Sequence, residues 1–191
     1  KMYELEKNSR SIVAKQAVTA QGKPGSGGGG TTPAPTDNLG VINIPVVVTV
    51  VYSNTQENIS DAQINSQIAV MNADFRKANS DAANTPSEFA VLVADTEVQF
   101  TLAGVRREAN SRTSWGTNDE VKAQYPPVTP ATTLNIWVCN IGGGILGYAQ
   151  FPGGPAATDG VVVGPNYFGN TGYVSAPFDK GRTMTHEVGH Y

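Results

Sequence analysis

Both histidines of the 191-residue chain fall within its last six residues, in the stretch Met184-Thr185-His186-Glu187-Val188-Gly189-His190-Tyr191. The order His-Glu-x-x-His sets two imidazoles one helical turn apart, so that on an α-helix both project from one face and can reach one ion. Zinc accepts neutral imidazole nitrogen, and a catalytic zinc site takes three protein ligands while keeping one position open for water. A metal held there brings the pKa of water towards ~7 and polarises a carbonyl, and an adjacent carboxylate can take the water's proton and hand it to a leaving amine. These residue types at this spacing therefore point to zinc-dependent hydrolysis of peptide bonds. His186 and His190 are the candidate metal ligands, and Glu187 is the candidate general base. The bland alternative is a surface helix carrying three unrelated polar residues.

A helix of this kind needs a start and a support. Asp179 or Thr183 is the candidate N-cap. Upstream, Val161-Val162-Val163 between Gly160 and Gly164 reads as a buried strand. Before it, Ile145 to Phe151 reads as a short strand closed by Pro152-Gly153-Gly154-Pro155, with the flanking glycines and proline of an edge strand. Such an edge either stands alone or takes up an extended peptide by strand addition. Leu134-Asn135-Ile136-Trp137-Val138-Cys139 is a further strand, and Val98, Phe100 and Leu102 alternate with polar residues as in a half-buried one. Arg106 to Pro130 has no sustained periodicity and reads mostly as loop, with Trp115 and Tyr125 lining a cleft or covering core edges.

The folded part opens at Val41 to Tyr52, a nearly continuous β-branched run that suits a central strand covered on both faces, with Pro45 near its start or at a bulge. The best helix signal follows. Ser60 as N-cap with Gln63 makes a capping box, Ile59 and Ile64 make a hydrophobic staple, and Ile64, Ile68, Met71 and Phe75 form one apolar stripe. The pattern as a whole predicts an α/β domain, a twisted mixed sheet with a backing helix and the histidine-bearing helix.

Composition limits the partners. A formal net charge of -3 and a hydrophobic fraction of 39% describe an ordinary core without a basic face, which disfavours nucleic acid and anionic membranes. There is no apolar run long enough to span a bilayer. The lone Cys139 reads as a buried strand residue. Residues 1–21 are polar and helix-compatible, and 22–40 form a Gly, Pro, Ser and Thr-rich stretch that reads as a linker. Lys1 in place of Met suits a mature or trimmed product.

Thr183 to Tyr191, preceded by Leu134 to Asn140 and by Gly144-Ile145-Leu146-Gly147-Tyr148-Ala149-Gln150-Phe151-Pro152, resembles the pappalysin family of metzincin zinc proteases. Ile44-Pro45-Val46-Val47-Val48 and Asn72-Ala73-Asp74-Phe75-Arg76 are similar to that family's first strand and backing helix. The resemblance covers roughly residues 41–191 and implies a metzincin-like N-terminal subdomain. It implies zinc on His186 and His190, Glu187 as general base, and Leu146, Gly147, Tyr148, Ala149, Gln150 and Phe151 as the rim strand that aligns a protein or peptide substrate. It further implies a secreted enzyme, outside the cell, in a periplasm or on a cell surface. Such enzymes are made as latent precursors, so residues 1–21 are expected to be a pro-segment remnant, and calcium is expected in the full-length enzyme. The family's pattern continues with a glycine, a third histidine six positions after the second, and a methionine turn, none of which this sequence contains. The third zinc ligand is therefore expected beyond Tyr191, the helix is read as truncated, and these 191 residues alone are expected to bind zinc weakly and to be inactive. Two other readings fit the same residues. One is a non-catalytic secreted peptide- or protein-binding module with a vestigial motif; the other is a gluzincin, with a glutamate from a later helix as third ligand.

Overall fold

The computed structural model describes residues 40–191. The segment 1–21 and all of the expected linker but Gly40 lie outside the described residues.

The β-branched run forms β1, Ile42–Tyr52, and the alternating segment forms β2, Val98–Ala109. With β3 (Leu134–Val138), β4 (Gly147–Ala149) and β5 (Val161–Val163) they make one five-stranded sheet in the order β2-β1-β3-β5-β4. The pairs β1/β2, β1/β3 and β3/β5 are parallel, and β4 runs antiparallel to β5 at the sheet's end. The sheet is thus mixed, and β4 is an edge strand as its flanking glycines predict. Pro45 lies one residue before a register shift between Val46 and Val47, where the pairing skips one residue of β2. A residue without a backbone N–H is least costly next to such an irregularity.

Side chains alternate across the sheet, and both faces are covered. Val46, Val48, Val50, Leu134, Ile136, Val138, Val161 and Val163 enter one core. Val51, Trp137, Cys139 and Val162 enter a second, together with Trp115, Val121 and Tyr125. Coverage on both sides is why these strands read as continuous apolar runs.

The first core is roofed by α1, Asp61–Phe75, through Ile64, Ile68 and Met71. Phe75 sits at the rim of this core, edge-on to Phe100 at 5.1 Å between ring centroids. Ser60 caps α1 by accepting from the Gln63 N–H at 3.2 Å, and Ile59 and Ile64 share the core, as the staple requires. The expected reciprocal half of the capping box does not form. The Gln63 side chain points inward and donates to the carbonyls of Pro165 and Phe168 at 2.8 Å each, because those buried loop carbonyls have a greater need of a donor than a solvent-facing cap.

Two more expectations change. Arg106 to Pro130 is mostly loop as expected, but β2 continues to Ala109 and a short helix α2 spans Glu120–Gln124. Trp115 and Tyr125 are buried in the second core, the core-covering alternative, and line no cleft. The histidine-bearing helix α3, Arg182–His190, begins at Gly181, with φ of 71° and no side-chain cap. Neither Asp179 nor Thr183 caps it; Thr183 lies inside the helix and Asp179 sits beside Lys180. A left-handed glycine makes the turn instead, and the Gln67 amide donates to its carbonyl at 3.0 Å. Among the described residues, no helix is long and apolar enough to cross a membrane.

Candidate active site

Helix α3 is held by its inward face and by both flanks. Met184 and Val188, one turn apart, are buried in the first core. At about 100° per residue, His186 and His190 then project nearly opposite to them, Thr185 faces one flank and Glu187 the other.

The two imidazoles meet. Their Nε2 atoms are 3.0 Å apart, with ring planes at 86°. At this distance one Nε2–H can donate to the other ring nitrogen, the tautomers deciding which, and the same placement lets both lone pairs face one cation. Two zinc–nitrogen bonds of about 2.0–2.1 Å at a tetrahedral angle would set the nitrogens about 3.3 Å apart, so the pair fits two corners of a zinc site with little adjustment. Among the described residues, no group of three His, Cys, Asp or Glu side chains converges on a metal-sized point.

The flank carrying Thr185 is tied to α1. Thr185 Oγ1 donates to Asp74 Oδ2 at 2.7 Å, and Arg182 Nε reaches the same oxygen at 3.1 Å. Arg182 also pairs with Asp81 at 2.8 Å, and this guanidinium, with the Asn79 amide, holds the Asp81 carboxyl at a pKa of about 2. Farther back, the loop that leads into α3 is fastened by two buried glutamines of α1. Gln63 bonds Pro165, Phe168 and both backbone groups of Tyr173; Gln67 bonds Gly169 and Gly181.

The opposite flank meets the edge strand. Glu187 is half-buried, and burial raises its pKa above the ordinary carboxylate value, against the opposing pull of His186 and His190. A Cβ placed on Gly147 would lie 3.1 Å from Glu187 Cγ, so Glu187 packs directly under the first residue of β4.

The six rim residues divide by what they touch. Gly164 donates to the Leu146 carbonyl at 2.9 Å, and Gln150 donates to the Gly160 carbonyl at 3.2 Å, so the backbone groups of these two turn inward to β5. By the alternation of an antiparallel pair, the N–H and C=O of Gly147 and Ala149 turn outward along the free edge. Tyr148 faces the second core, its ring 5.1 Å from the buried Lys122 ammonium. Gln150 is occupied by the neighbouring loop, accepting from the Thr158 hydroxyl and donating to Pro155. Phe151 lies against the His190 ring, with centroids 5.7 Å apart.

Several residues that shape the site carry no motif. Gln63 and Gln67 leave a trace, as two polar residues one turn apart beside the apolar stripe of α1. Asp74 leaves a trace only as part of the family-like Asn72 to Arg76 segment, and Asp159 and Lys122 leave none. Asp159 accepts from the Tyr191 hydroxyl at 2.8 Å and so fixes the residue after His190.

No family model matches the chain. An extracellular metalloprotease of Pyricularia oryzae is 27% identical over 188 residues, covering 96% of this chain and 59% of the relative. Extracellular metalloprotease 1 of Coccidioides posadasii is 30% identical over 159 residues, covering 78% of this chain and 50% of the relative. Among solved structures, mature mirolysin of Tannerella forsythia in complex with a cleaved peptide is 44% identical, with a TM-score of 0.75 over 82% of this chain and 63% of that one. Mirolysin in complex with a small compound is 45% identical, with a TM-score of 0.74 over 79% and 63%. The chain thus spans only between half and two thirds of the length of these relatives. Over the matched part it has the mixed α/β fold of mirolysin, a metzincin.

Proposed function

We propose that this chain belongs to a secreted zinc metalloendopeptidase of the pappalysin group, and forms the N-terminal subdomain of its catalytic domain. The observation that carries the reading is the convergence of the His186 and His190 Nε2 atoms at 3.0 Å on the helix whose Glu187 packs under the edge strand. The names of the relatives and the identity with mirolysin support it, and the names also support secretion.

Zinc, when bound, supplies the Lewis acid that makes water acidic and a carbonyl electrophilic near neutral pH. His186 and His190 provide two of its ligands. The outward backbone groups of Gly147 and Ala149 align a peptide by strand addition. Glu187 accepts the proton of the attacking water at its carboxylate and delivers it to the nitrogen of the leaving amine. A carboxylate whose proton affinity is raised by burial is better matched to that task than an exposed one. With two histidines in all, the 191 residues on their own offer a weak zinc site.

The test is turnover of a fluorogenic peptide by the full-length protein of which this chain is a part, with and without a chelator. Glu187→Gln keeps the shape and removes the base, so turnover is expected to fall by about 10²–10⁴-fold while zinc content, measured by metal analysis, is retained. Turnover indifferent to the chelator, or undiminished by Glu187→Gln, overturns the reading. Peptide binding without cleavage would favour a non-catalytic module.

A further inference from the structure

The edge strand and the base touch at one residue. Gly147 opens β4 opposite Val163, on the sheet face that looks towards α3. The space above its Cα is closed on two sides, because an added Cβ would sit 3.1 Å from the Val162 carbonyl oxygen and 3.1 Å from Glu187 Cγ, with Glu187 Oε1 at 3.4 Å. The first neighbour belongs to the β5 backbone and cannot yield. The second is a side chain and can. A substituent at 147 therefore presses on both neighbours, and of the two only Glu187 can give way. No positive φ calls for a glycine here, so its lack of a side chain, and not its backbone freedom, is what the site uses.

We infer that Gly147 is a positioning residue for Glu187, setting the depth of the carboxylate beneath the strand edge on which the substrate would lie. The inference rests on Glu187 being the general base. It moves Gly147 from a residue that merely lines the substrate to one that fixes the distance between substrate backbone and base. The same backbone group that faces a bound peptide carries the Cα against which the base rests, so the two are held to one origin. A displacement of a few tenths of an ångström then changes proton transfer while leaving peptide alignment intact.

The experiment, on the full-length protein of which this chain is a part, has a kinetic arm and a thermal arm. Gly147→Ala is expected to lower kcat at least about tenfold, with KM changed no more than about twofold, because the outward N–H and C=O persist. A raised KM with unchanged kcat would make Gly147 a substrate contact and overturn the inference. In the thermal arm, Gly147→Val is compared in the native protein and in a Glu187→Ala background. The Tm loss is expected to be about 4 °C or more in the first and less than half of that in the second, since alanine at 187 removes the obstructing Cγ. Changes in strand propensity are common to both backgrounds and cancel. An equal loss in the two backgrounds would overturn the inference. If the full-length protein shows no chelator-sensitive turnover, the protease reading fails, and the thermal arm still decides whether residue 147 fixes the seat of Glu187.

Discussion

Thr185 stands beside the first histidine and is the residue through which α3 is pinned to α1. Its hydroxyl donates to Asp74, a side chain only 8% exposed, whose other oxygen has no partner among the described residues. A buried carboxylate with one oxygen already unsatisfied depends strongly on the donors it retains. Thr185→Val keeps the volume and removes one of them. We expect it to cost about 1–3 kcal/mol in urea unfolding and to weaken zinc binding, because His186 is the next residue on the helix. A stability change below about 0.5 kcal/mol would mean that Arg182 alone supports Asp74. The spacing of His186, Glu187 and His190 was legible in the sequence because helical periodicity alone assigns them to a face. Asp74 was not, because its role appears only once two helices 111 residues apart in sequence are packed together.

Helix α1 shows how an element can be read correctly for its start and stripe and still conceal its main task. Ser60, Ile59 and Ile64 behave as local rules require, since capping and stapling act within one turn. Gln63 and Gln67 obey a non-local demand. They satisfy the carbonyls of the loop that runs from β5 to α3, a stretch with little regular structure to satisfy its own. Gln63→Leu keeps the bulk but leaves the Pro165, Phe168 and Tyr173 carbonyls and the Tyr173 N–H without that partner. We expect a loss of about 3 kcal/mol or more in urea unfolding and faster proteolytic nicking between residues 165 and 181 than elsewhere. Nicking spread evenly over the chain would argue against a latch. The parallel strands were visible as apolar runs for the converse reason, because a sheet covered on both faces leaves no polar alternation to confuse them. The extension of β2 to Ala109 was hidden because its second half is only partly covered and carries Arg106, Arg107 and Glu108.

At the scale of the whole molecule, the sheet separates a core that carries the site from a second core that supports it from behind. The second core holds ionisable groups that resist charging. Burial pushes the Cys139 thiol up to about 12, with the Glu57 carboxylate adding to the effect, and burial likewise pushes the Tyr148 hydroxyl up. The folded state thus keeps a thiol proton that the unfolded chain gives up near about pH 8.5. When the native state binds more protons, stability falls as pH rises. The contribution of Cys139 is fully present below about pH 8.5 and is lost progressively towards about 12. We expect the urea midpoint under reducing conditions to be level from pH 7 to 8 and to decline above pH 9. Cys139→Ala should lower stability at pH 7 by about 1 kcal/mol through the small cavity it leaves, yet flatten the decline between pH 9 and 10.5 by up to about 1.4 kcal/mol per pH unit. Parallel declines in the two proteins would show that the thiol reaches water before the sheet opens. The second core would then be looser than its packing against Trp137 and Val162 implies.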